Sequence, residues 1–150
     1  ADHMAHRKRE SWPGLVRPCL DDSLSTHLLF LVDQSRSMAI ADEAANRSRW
    51  EAVIKDIDES TAARERLKDQ VTLRWFAFGA DAKEATTQQL PDQKPELPRS
   101  AIGDSLDSLL RQSASNRISG VVLMSDGANT AGISPLQVAR RFKSAGIPIH

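Results

Sequence analysis

Unbroken apolar runs alternate along this chain with stretches of helical period. Leu28-Leu29-Phe30-Leu31-Val32 is uniformly apolar and stops at Asp33, the pattern of a strand buried on both faces of a sheet. Val71-Thr72-Leu73-Arg74-Trp75-Phe76-Ala77-Phe78 is rich in β-branched and aromatic residues and stops at Gly79, so it predicts a second strand. Ala82 to Thr87 adds a short edge strand. Ile118 to Ser125, centred on Val121-Val122-Leu123-Met124, predicts another buried strand and again ends on a carboxylate, Asp126, followed by Gly127. Between these runs the period changes. Ser48 with Glu51 fits a capping box, and Trp50, Val53, Ile54 and Ile57 fall on one helical face, which makes Trp50 a core anchor. That helix fades through the charged stretch Arg64 to Asp69, a solvated end. Ile102, Leu106, Leu109 and Leu110 share a face of a second helix, in which Gly103 lowers the intrinsic propensity. Ser134-Pro135 opens a third, running through Val138, Ala139 and Phe142 to a stop at Gly146. Residues 34–47 and the stretch punctuated by Pro91, Pro95 and Pro98 read as loops.

Strands alternating with helices, the best strands being apolar throughout, predict an α/β fold: a three-layer, doubly wound, mostly parallel sheet flanked by helices on both faces. Residues 5–26 have no period and several breakers, and Ala1-Asp2-His3-Met4 reads as a cloning remnant. The chain therefore divides into a remnant and irregular lead-in, 1–26, and a domain, 27–150. Ile147-Pro148-Ile149-His150 begins a further strand at the chain's end. This leads to the expectation of a domain incomplete at its C-terminus, with an exposed sheet edge open to self-association.

Composition narrows the function classes. The 150 residues carry 20 Lys+Arg against 20 Asp+Glu, so no global field favours nucleic acid or an anionic membrane. No apolar run approaches the roughly 18 residues that span a bilayer, so direct membrane insertion by this stretch is not expected. Cys19 is the only cysteine, which excludes an intrachain disulfide and a Cys-based zinc site and leaves the redox compartment open.

In open α/β sheets, ligands bind beyond the carboxyl ends of the strands. Two strands here end on Asp. Asp33-Gln34-Ser35-Arg36-Ser37 places one carboxylate and two hydroxyls in a turn, Asp126 places a second carboxylate, and Ser100 offers a hydroxyl at the mouth of a helix. Two carboxylates and three hydroxyls form an all-oxygen set suited to a hard divalent cation such as Mg²⁺ or Mn²⁺, with Ca²⁺ a further member of the class. The neutral hydroxyls leave such a cation electrophilic enough to accept another anionic oxygen, most naturally a partner's carboxylate.

These residues resemble the metal-ion-dependent adhesion site (MIDAS) of von Willebrand factor type A domains. The D-x-S-x-S signature matches Asp33, Ser35 and Ser37, and the closing Asp in its T/S-D-G context matches Asp126 within Ser125-Asp126-Gly127. The remaining position is usually Thr; here it is Ser100, which keeps the hydroxyl and loses the methyl that stiffens the rotamer. Each fragment alone is weak, because Asp and Ser are common turn residues. Their conjunction, in order and at strand ends, is specific. The resemblance covers about His27 to His150. It implies a doubly wound sheet and a metal-assisted protein-binding role, and it is to bacterial members, in which such domains sit beside membrane spans of larger proteins.

Three functions are weighed: a binding module whose metal docks an acidic residue of a partner protein, a scaffold domain with a vestigial site, and a Mg²⁺-dependent phosphatase or phosphotransferase using Asp33 as nucleophile. The enzyme is disfavoured because phosphoryl transfer calls for a cation to hold the phosphate, and Arg36 is the only charge at hand. His27, His150 and Cys19 have no partners in sequence that would make them catalytic, and Asp104 and Asp107 are explained by the dipole of the helix they open.

Overall fold

Residues 25–112 and 115–150 are described by the structure, a computed structural model. Residues 1–4, nearly all of the expected lead-in and Cys19 lie outside the described residues. Among the described residues the sheet has four strands in the order β3-β2-β1-β4, made of β1 (Thr26–Asp33), β2 (Thr72–Phe78), β3 (Ala82–Ala85) and β4 (Arg117–Met124). β1 pairs in parallel with both β2 and β4, while β3 is antiparallel to β2. The fold is thus the expected α/β type with a mostly parallel sheet. The short β3 edge carries exposed Lys83 and Glu84, the charged blunting common on free edges. Beyond β4, His150 and Pro148 exchange backbone hydrogen bonds with Val121 and Leu123, so the apolar tail adds a rung there.

Alternate residues of the central strands feed two cores, which is why these strands read as continuously apolar. Leu29, Leu31, Phe76, Phe78 and Val121 pack on one face against Ile102, Leu106 and Leu109 of α3 (Ile102–Gln112) and Val138 and Phe142 of α4 (Pro135–Ser144). Phe30, Val32, Trp75 and Ala77 pack on the other against Trp50 and Ile57 of α1 (Arg49–Glu59). Phe30 and Trp75 stack there at 4.0 Å between ring centroids.

The capping box at α1 forms in full, Ser48 accepting from the Glu51 amide and Glu51 accepting from the Ser48 amide. The helix does not simply fade afterwards. It breaks at Ser60, whose hydroxyl donates back to the Ile57 carbonyl, and a separate solvated helix, α2, spans Thr61–Leu67. At α4, Pro135 occupies the first turn as expected, but the Ser134 side chain makes no capping hydrogen bond.

Chain order places β1 at the point where the strand order reverses. The β1–β2 connection runs through α1 on one face and the β3–β4 connection through α3 on the other. The loops leaving β1 and β4 therefore diverge above a crevice, and Asp33 stands at its base.

Candidate metal centre

Asp33 ends β1 with 0% of its surface exposed. Its Oδ1 accepts from the Ser35 amide at 2.8 Å, the local turn written into D-x-S. Its Oδ2 accepts from two hydroxyls, Ser100 at 2.8 Å and Ser125 at 2.7 Å. Ser35 and Ser37 join through their hydroxyls at 2.9 Å, and the Ser37 hydroxyl is close enough to Asp126 to help lower its carboxyl. The five residues singled out from sequence thus gather at the strand ends from three loops, Asp33, Ser35, Ser37 and Ser100 joined by hydrogen bonds and Asp126 beside Ser37.

Ser100 is held from behind. Its amide donates to Thr130 Oγ1 at 2.9 Å, its carbonyl accepts from the Thr130 amide at 2.8 Å, and the Ile102 amide donates to Asn129 Oδ1 at 2.9 Å. Asp104 pins the same loop, accepting from the Ile133 amide at 3.0 Å, a more specific task than balancing a helix dipole. The neighbouring Gly132 has φ +77° and lies where a Cβ would strike the Asp104 carboxylate. Asp107 is likewise more than a dipole partner: its buried carboxylate ties α3 to Arg141 of α4 at 2.5 Å and also binds Arg111 at 2.6 Å.

The two carboxylates differ in charge environment. Among the described residues no Lys or Arg pairs with Asp33, whereas Asp126 Oδ2 accepts from Arg49 Nη1 at 2.8 Å. Burial pushes the Asp126 carboxyl up, but the Ser37 hydroxyl, the Ala128 amide and the Arg49 guanidinium together bring it below its ordinary value. Arg49 also grips Asp42, and that hydrogen bond lowers the Asp42 carboxyl and raises the guanidinium. Arg36, inside the signature, turns away and donates to the Glu96 carbonyl at 3.2 Å.

A buried carboxylate with only neutral partners is costly unless a cation joins it. The all-oxygen donor set around Asp33 suits a hard dication, so the residues present fit such an ion. Sequence reasoning missed two residues. Ser125 carried a signal, its place directly before Asp126 at the end of β4; Arg49 carried a fainter one, a cation at the helix end where the dipole favours anions.

The fold is that of a von Willebrand factor type A domain. Proximal thread matrix protein 1 from the mussel byssus superposes with a TM-score of 0.64 at 18% identity, over 84% of this chain and 37% of that one. A structure of the same mussel protein with a zinc-occupied MIDAS motif gives a TM-score of 0.59 at 19% identity, again over 84% of this chain and 37% of that one. An aerotolerance-related membrane protein from Bacteroides fragilis matches with a TM-score of 0.63 at 21% identity, over 83% of this chain and 65% of its own. The chain thus spans little more than a third of the mussel protein and just under two thirds of the bacterial one. No family model and no curated protein matches the sequence. Among the described residues no helix is long and apolar enough to cross a membrane.

Proposed function

We propose that this domain is a metal-dependent protein-binding module, in which Asp33, Ser35, Ser37, Ser100 and Asp126 hold Mg²⁺, or Mn²⁺ or Ca²⁺ in its place. The bound ion supplies an electrophilic position for a carboxylate from a partner protein. The carrying observation is the fully buried Asp33 carboxylate, met, among the described residues, by one amide and two hydroxyls and by no basic side chain. Ser100 and Ser125 orient that carboxylate, and Asn129 and Thr130 keep Ser100 in place. The zinc-occupied motif of the mussel protein supports metal binding at this position of the fold.

The module binds and does not catalyse on this reading. A phosphoryl group at Asp33 would need a cation to hold it, and both nearby guanidinium groups are engaged, Arg36 with the Glu96 carbonyl and Arg49 with Asp42 and Asp126. The scaffold reading keeps one observation in its favour, the Arg49 guanidinium already placed on Asp126.

Thermal melting with and without Mg²⁺ or Mn²⁺ decides among the three. At a metal concentration about 100-fold above Kd, binding adds about 2.7 kcal/mol to the wild type, and none of it should survive in Asp33→Ala. An unchanged wild-type melt at millimolar metal favours the scaffold. Phosphate released from simple phosphoesters, and lost in Asp33→Ala, overturns the binding module.

A further inference from the structure

Arg49 is the first residue of α1, directly after the N-cap Ser48, so the helix start sets its backbone between the loop leaving β1 and the loop leaving β4. Its guanidinium is shared. Nε donates to Asp42 Oδ1 at 2.9 Å and Nη2 to Asp42 Oδ2, while Nη1 alone reaches Asp126 Oδ2 at 2.8 Å. The two carboxylates are unequal, the Asp126 side chain being 6% exposed and that of Asp42 45%. Arg49 therefore keeps a two-point hold on a solvent-facing anion and lays one nitrogen on a candidate metal ligand. It also lines an open groove of about 470 Å³ together with Asp42, Glu43, Asp56, Ser125 and Asp126, and among the described residues it is the one basic side chain there.

We propose that Arg49 is an exchangeable counter-cation of the metal centre: it neutralises Asp126 when no metal is bound, and it surrenders that contact, while keeping Asp42, when a divalent cation enters. The proposal rests on the metal-binding reading above and concerns how the same centre is regulated. A guanidinium on Asp126 and a dication in the cluster compete for one negative charge, so Arg49 raises the cation concentration at which the site fills. Its release is easy because only the Nη1 contact is lost and the bidentate grip on Asp42 remains. Asp42 thus favours loading by leaving Arg49 a partner once the Asp126 contact is given up.

Isothermal titration of Mg²⁺ and Mn²⁺ into the whole chain tests this with wild type, Arg49→Gln, Arg49→Lys, Asp42→Asn, the Asp42→Asn/Arg49→Gln double variant and Asp33→Ala. Arg49→Gln should bind metal about 10-fold more tightly, the worth of one charge-assisted contact. Arg49→Lys, which keeps the charge and loses the fork, should stay within about 3-fold of wild type. Asp42→Asn should weaken binding about 3-fold by leaving Arg49 to Asp126, and the same substitution should change affinity by less than about 2-fold once Arg49 is Gln. Equal or weaker binding by Arg49→Gln, with Arg49→Lys folded and wild-type-like, overturns the exchange and leaves the metal site standing. No binding by wild type and Arg49→Gln alike, or binding that survives Asp33→Ala, overturns both.

Discussion

Gly103 offers a test in which two physical effects predict opposite signs. It lies in the first turn of α3, where helix propensity alone says that Ala should stabilise by up to about 1 kcal/mol. The packing says otherwise. A Cβ at this position would stand 2.0 Å from the Ile133 carbonyl oxygen, 2.8 Å from the Ile133 carbonyl carbon and 3.3 Å from the Pro135 nitrogen. All three are backbone atoms, so no side-chain rotation relieves the contact and the carbonyl must retreat by about 1 Å. It cannot do so freely, because the Ile133 amide is bonded to Asp104 and the following residues enter α4. Overpacking of this kind costs about 1–3 kcal/mol or more, which outweighs the propensity gain. We expect Gly103→Ala to lose about 2 kcal/mol in urea unfolding at unchanged m, and about 8 °C in Tm for a domain of this size. The displaced loop also carries Asn129 and Thr130, so the metal-dependent rise in Tm should shrink as well. A variant as stable as wild type, or more so, would refute the packing argument.

Two further outcomes follow from the site and from α1. Ser125→Ala removes a 2.7 Å hydrogen bond from the buried Asp33 carboxylate and should cost about 1.5–3 kcal/mol in urea unfolding, with a weaker response to Mg²⁺; unchanged values would mean that Ser125 does not support Asp33. The Ser48 amide, and with it the rest of the capping box, holds the Glu51 carboxyl below its ordinary value of 4.5. A depressed carboxyl contributes stability that is present above pH about 4.5 and is lost as pH falls through the folded value, so Glu51→Gln should lower Tm near neutrality and converge on wild type in acid. Parallel pH–Tm profiles for the two proteins would count against the cap.

Much of this architecture is local and could be read before folding. β1, β2 and β4 announce themselves because residues facing both cores are all apolar, and α1 announces itself because a capping box acts over three residues. The break at Ser60 escaped notice, since a serine hydroxyl turning back on its own helix leaves no mark in the hydrophobic period. Asp104 and Asp107 looked like dipole partners for a similar reason. Their true partners, Ile133 and Arg141, are distant in sequence, and only the packing of α3 against the following loop and α4 brings them within reach.

The sequence by itself determined an alternating α/β chain and, through D-x-S-x-S, the turn that folds Ser35 back on Asp33. Only the tertiary structure decided the sheet order that seats β1 at the reversal point, and with it the meeting of Ser100 and Ser125 on one oxygen of Asp33. It alone placed Arg49 on Asp126 and, among the described residues, gave Asp33 no basic partner. The division has a physical basis: turns and periods depend on neighbours a few residues apart, whereas the charge balance of a buried site depends on which loops the sheet topology gathers at one edge.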